Sequence, residues 1–497
     1  MTTYTIVETT SGRVRGHSAD GIGTYLGVPY AAPPVRDLRF AAPEPAPAWD
    51  GIRDALTPGP SAPQNGASSF FGLDMVAATG ADWRQGDDYL TLNVWAPTDG
   101  VRHPVMVYVH GGGLMLGTKD AAVYDGRNFA RDGVVSVTLN YRLGVEGFLA
   151  IPGAPTNLGL RDILAGLEWV RDNIAAFGGD PDNVTVFGES GGGMAVACLV
   201  TSPLATGLFA QAIIQSGHGS AVYPLEIARR ATDAVANSLR IPADVEGFRS
   251  VDSRRALAAL ARAARPGAVN LKDDAGFDPS FGLGILNPVI GDDVLPEHPL
   301  RALRGGAGST VPIVIGTTRD EANFWFAPTR LLALPAVLAR PILRRMVPSA
   351  DALWRAYTED EPTRGGVTLS RIISDLSFRW PARLYAEAHQ GDTYAYDFDW
   401  HSPASGGRFG AAHGMELPFV FDTLPTVTGP RGMAGTQPPQ RLADTMHAAW
   451  REFAATGRAP WPQFTSASRQ VRRFGSETTV SEPVMPAAAF YRDVSVL

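Results

Sequence analysis

Gly188-Glu189-Ser190-Gly191-Gly192 sets a single hydroxyl among glycines, directly after the β-branched run 184–187 and before the apolar, helix-compatible run 194–200. Ordering glycine is entropically expensive, so so many of them around one serine call for a reason. G-x-S-x-G at a strand–turn–helix junction is the pattern of a nucleophile elbow, in which glycines prevent β-carbons from colliding while the hydroxyl is pushed out over the sheet edge. A phosphate loop fits poorly. No lysine follows the glycines in Walker order, and G-x-G-x-x-G spacing is absent from this stretch.

A serine nucleophile needs a base for its proton and N–H donors for the charge that develops on the substrate oxygen. His110-Gly111-Gly112-Gly113, after the apolar run 105–110, resembles an oxyanion loop of the HGGG type, where bare glycines let backbone amides face a site. In such sites the chain order is serine, acid, histidine. Of the nine histidines, His218, His298, His389, His401, His413 and His447 follow Ser190. His389 and His447 sit in helical patterns. His401 and His413 are the base candidates, both expected beyond the last strand, and His413 has small neighbours that suit a loop. For the acid, Asp320 or Glu321 would emerge where the buried-strand pattern 311–316 ends. The residue pattern leaves both open.

The elements that must position these groups read as α/β. Apolar β-branched runs at 105–110, 134–140, 184–188, 212–215, 311–316 and 393–398 alternate with helical patterns. The clearest spans 157–177, where Leu160, Ile163, Leu164, Leu167 and Val170 share one face. Continuous apolar strands imply a mostly parallel sheet covered on both sides.

Composition narrows the function. The 497 residues, 45% hydrophobic and 19% charged, can bury a substantial core, and a net charge of −7 argues against nucleic acid as the partner. Cys198 is the sole cysteine, which excludes an intramolecular disulfide and a cysteine metal cluster, and it reads as a small buried hydrophobe. The start of the chain lacks the basic, then apolar, profile of a secretory signal, so a cytoplasmic location is expected. The most apolar stretch, 324–346, is broken by Arg330, Arg340, Pro328, Pro335 and Pro341. It is expected to form short helices over an apolar cavity, not a membrane span.

With these residues in place, the chain resembles the type B carboxylesterases of the α/β-hydrolase fold over nearly its whole length. The likeness rests on the elbow, the HGGG loop, "YLGVPYAAPPVRDLRFAAPEPAPAWDG", "DDYLTLNVWAP", "NYRLGVEGFL", "NLGLRDILAGLEWVRDNIAAFGGDPDNVTVFGESGG" and "QSG". It implies one domain over 1–497, with a large mostly parallel sheet, helices on both faces, and cap-like insertions at roughly 64–84 and 324–360. The proline-rich segment 29–63 would then pack on the catalytic body. By the same resemblance Ser190, Glu321 and His413 match a catalytic triad, and Gly112, Gly113 and Gly191 the oxyanion donors. Three positions depart from the family pattern: Tyr89 stands in place of a disulfide cysteine, Ile163 in place of a glutamine, and Gly191 in place of an alanine.

The resemblance implies a serine carboxylesterase working through an acyl-enzyme, with no cofactor and no metal. Carbamate or amide hydrolysis by the same triad is the alternative, and a non-catalytic adhesion or scaffold relative is the reading from another class. The expected partner is a small apolar ester; neither nucleic acid nor membrane is expected, and the chain is expected to be a monomer or weak homo-oligomer. Leu114, Met194 and Phe324 flank the motifs as candidate pocket residues, and Phe70 and Phe71 as a rim. Glu189 is expected to be a buried, hydrogen-bonded carboxylate.

Overall fold

The computed structural model describes residues 3–66, 69–70, 72–80, 83–359 and 363–491. Phe71, one of the two rim candidates, lies outside the described residues. A 13-stranded mixed sheet runs through the molecule. Its centre is parallel: Val135–Leu139, His103–Val109, Gly179–Glu189, Gln211–Gln215, Ile313–Thr318, Thr393–Phe398 and Gln470–Phe474 lie side by side in that order. Most of these strands are buried along their length because both faces are covered, which is why they read as continuous apolar runs.

One edge differs from the sequence expectation. Thr3–Thr9, Gly12–Ala19, Ile22–Pro29 and Thr91–Pro97 form an antiparallel meander that joins the parallel centre at Val135–Leu139. In the outer three, partial exposure with one face wet makes the pattern quieter than that of a buried parallel strand, whereas Thr91–Pro97 is buried almost throughout. The other edge also corrects an expectation: Gln470–Phe474 and Thr478–Ser481 extend the sheet past His413, so neither histidine candidate lies beyond the last strand. The proline-rich segment is packed, as the resemblance implied: Tyr30 donates to the Asn140 carbonyl at 2.7 Å, and Arg39 Nε donates to Glu146 at 3.0 Å.

Two apolar clusters hold the layers, one containing Leu139, Val186 and the helix Leu158–Asn173, the other Tyr108, Phe187 and Trp450. Ile163, one of the departures, is fully buried in the first. Tyr89, another, is buried and donates from its hydroxyl to Glu146 at 2.8 Å. Residues 323–346 form three short helices, Asn323–Phe326, the 3-10 turn Leu331–Ala333 and Ala336–Met346, the last carrying Pro341. Among the described residues no helix is long and apolar enough to cross a membrane.

Candidate active site

Ser190 stands between the strand Gly179–Glu189 and the helix Gly191–Val200. Its backbone is held at φ +56° and ψ −124°, a conformation costing about 1–3 kcal/mol that persists only where surroundings enforce it. Here they do. The Ser190 amide donates to the Gln215 carbonyl at 2.9 Å, and its carbonyl accepts from the Met194 amide at 2.8 Å. A β-carbon on Gly192 would lie 2.1 Å from the Val109 carbonyl oxygen, and one on Gly188 2.7 Å from the Gly192 backbone. The turn is therefore sterically reserved for glycine.

The loop after Ile313–Thr318 separates the two acid candidates. Glu321 is fully buried; one oxygen accepts from the Ser216 hydroxyl at 2.6 Å and the Thr318 amide at 2.9 Å, and the other accepts from His413 Nδ1 at 2.5 Å. Asp320 turns the other way, accepting from the Ala411 amide at 3.1 Å and facing the exposed His401 at 3.3 Å. Trp325 and Phe378 pack on the His413 ring at centroid distances of 5.3 and 4.9 Å. His413 Nε2 faces Glu189 Oε1 at 3.2 Å. Among the described residues no hydrogen bond joins it to Ser190, although both line the same cavity of about 370 Å³.

Gly112, Gly113 and Gly191 line that cavity too, as do Leu114, Met194, Phe324 and Phe70. Gly112 and Gly113 adopt φ of +109° and +61°. Among the described residues their amides donate to no protein acceptor. The Gly191 amide, in the first helical turn, has no partner within its helix. A β-carbon on Gly191 would sit 3.0 Å from the Leu114 nitrogen and 3.2 Å from the Gly113 nitrogen, so these backbone groups converge on one spot.

The site is electrostatically unusual in holding three carboxylates away from water. Glu189 is buried as expected; among the described residues its Oε1 makes no hydrogen bond and has only the ion-pair contact with His413 Nε2. Burial, opposed by His413 and reinforced by Glu321, pushes its carboxyl up to about 7. Sequence reasoning missed Glu416, three residues beyond His413 in "HGMELPF". It accepts from Gln215 Nε2 at 3.3 Å, and burial followed by the charges of Glu189 and Glu321 raises it to about 8. For His413, burial disfavours the imidazolium, but Glu189, Glu321 and the Glu321 hydrogen bond outweigh it and raise the ring to about 9.

Also missed was the turn carrying Phe378. Residues Asp375–Arg379 form one π-helical turn within a longer helical run, a distortion common at functional sites. His218, passed over as a base, contacts the Ser377 carbonyl at 2.9 Å through Nε2 while its Nδ1 accepts from the Ser220 amide at 3.1 Å. Burial lowers it to about 4. It is a neutral brace.

The carboxylesterase family model matches residues 3–489. The para-nitrobenzyl esterase of Bacillus subtilis (strain 168) is 37% identical, covering 96% of each chain. The phenmedipham hydrolase of Pseudarthrobacter oxydans is 35% identical, again with 96% of each covered. Among solved structures, a thermophilic PNB esterase superposes with a TM-score of 0.83 at 36% identity, covering 97% of this chain and 98% of the other.

Proposed function

The chain belongs to the carboxylesterase family and is a carboxylic ester hydrolase, and from that premise we propose a mechanism through an acyl-enzyme on Ser190, with His413 as base and Glu321 as its orienting acid. The observation that carries this reading is the short Glu321–His413 pair on the cavity that holds the strained serine. In the first half-reaction His413 Nε2 takes the Ser190 proton as Oγ attacks the ester carbonyl. The imidazolium then gives that proton to the departing alcohol. Water, activated by the same ring, hydrolyses the acyl group. Free amides of Gly112 and Gly113, with that of Gly191, hold the oxyanion in each tetrahedral intermediate.

Because Nε2 lies against Glu189 at 3.2 Å, the ring must turn toward Ser190 when substrate enters. Such catalytic contacts commonly tighten only in the substrate complex. The cavity walls contributed by Leu114, Met194 and Phe324 favour an apolar substrate limb. The insertions around Phe70 and beyond Phe324 form its rim in this single-domain reading; the two rings stack at 5.2 Å.

The phenmedipham hydrolase relative is why carbamates and anilides belong beside esters in a rate survey. The test is p-nitrophenyl esters of rising acyl length with a carbamate and an anilide, plus organophosphate labelling mapped by peptide mass. Fast ester turnover with the label on Ser190 is expected. A protein that hydrolyses esters but carries the label elsewhere, or never reacts with it, would overturn the assignment.

A further inference from the structure

A second cavity, of about 550 Å³, lies against the opposite face of the loop that carries Glu321, and among the described residues none of its lining belongs to the catalytic cavity. Arg330, Arg364, Arg371 and Arg408 converge on it from three stretches of chain. All four are exposed. Among the described residues, Arg330, Arg364 and Arg408 have no carboxylate in ion-pair reach. Among the described residues Asp320 is the single carboxylate in the lining, and it is already engaged with the Ala411 amide and His401.

This concentration of positive charge runs against a chain whose net charge is −7. Guanidinium forks match the two oxygens of a carboxylate or phosphate, and several on one concavity suit an anion with more than one charge. The remaining walls are fixed: Ser370 donates to Asn323 Oδ1 at 2.8 Å, and Asn323 Nδ2 donates to the Arg408 carbonyl at 3.3 Å. The Ala322 amide, next to Glu321, donates to Ser374 Oγ at 3.0 Å.

We propose that this cavity is a binding site for a multivalent carboxylate or phosphate anion, separate from the ester site and sharing with it only the loop from Asp320 to Phe326. Any influence on turnover rests on the catalytic reading of Glu321; binding itself does not. The shared chemistry could come from a free anion or from a lipid headgroup, so the experiment has two arms.

In the first, citrate and pyrophosphate are titrated against thermal unfolding of the whole protein, with sodium chloride at matched ionic strength as reference. A saturable rise in Tm of about 2 °C or more is expected for wild type, because a ligand that binds only the folded state stabilises it. The double variant R330A/R364A should lose at least half of that rise while hydrolysing p-nitrophenyl acetate at the wild-type rate, which shows that it folds. In the second arm, sedimentation with phosphatidylcholine vesicles is compared with and without phosphatidylglycerol. Arginine-dependent binding to the anionic vesicles alone assigns the anion to a headgroup and supports the site. No response in either arm, or an equal response from wild type and double variant, overturns it.

Discussion

The loop from Asp320 to Phe326 is a wall between two unlike cavities. On one side Phe324 and Trp325 face an aromatic cavity around which Glu189, Glu321 and Glu416 are buried. On the other, Asp320 and Asn323 face exposed arginines. Neighbouring residues of one turn thus serve opposite electrostatic settings. Charge withdrawn from water interacts strongly and shifts its neighbours' proton affinities. Charge left in water is screened within about 10 Å, so it attracts a mobile ion without perturbing the fold. Variants on the two sides should therefore differ by orders of magnitude in their effect on ester hydrolysis.

The largest effect is expected from S190A, which should lower kcat by about 10⁶-fold, with H413A comparably damaging because the two act as one unit. Steady-state rates on a p-nitrophenyl ester check both. A serine variant keeping more than a tenth of the wild-type rate would remove the chemistry from the aromatic side altogether.

Next comes the pH profile of kcat/KM. A base must be neutral to accept a proton, and His413 is held protonated up to about 9, so the rate should climb as pH rises toward that value. Glu189 is the strongest of the charges that raise the ring. In E189Q that charge is gone, and the acid limb should move to lower pH whatever happens to its plateau. An unmoved or upward-moving limb would show that Glu189 does not govern the imidazole.

Glu416 tests burial through stability. Its carboxyl is raised to about 8 in the fold, against an ordinary glutamate value of 4.5. The folded state therefore holds this proton more tightly than the unfolded chain, and the cost of ionising the group grows as pH rises through that window. E416Q, which cannot ionise, should match wild type in Tm below pH 4.5. It should become progressively more stable relative to wild type up to about pH 8, and hold a constant advantage beyond. A difference independent of pH would show that Glu416 is not neutral in the fold at pH 7.

What the sequence made legible follows the same division between buried and exposed. The parallel strands announced themselves because burial on both faces demands apolar residues throughout, and the elbow because Gly188 and Gly192 have no room for a β-carbon. The outer antiparallel strands, half wet, left a quieter pattern. Long-range pairing was out of reach of spacing: Glu321 and His413 are 92 positions apart, and nothing local to either separates Glu321 from Asp320. The resemblance singled out Glu321, and the fold brings that residue to the imidazole. Glu416 and the π-helical turn left no periodic signal, since one is a single carboxylate in an apolar run and the other a one-turn change of helix register. The arginine cavity is assembled by tertiary convergence from segments that look like ordinary solvated surface.

The smallest effect belongs to the exposed side, and it is the most direct check on the division. His401 has a side chain 63% exposed and meets Asp320 at 3.3 Å, in an ion pair that forms only when the imidazole is protonated. Such surface pairs contribute about 0–1 kcal/mol. Asp320 keeps the Ala411 amide as a donor without it, so the turn holding Glu321 stays anchored. H401A should then change kcat/KM by less than about 5-fold, the rate equivalent of 1 kcal/mol. The comparison with H413A in the same assay decides which side of the loop holds the base. A loss at position 401 as deep as that at 413 would mean that charge on the wet side controls the dry one, and the wall between the two cavities would no longer separate their roles.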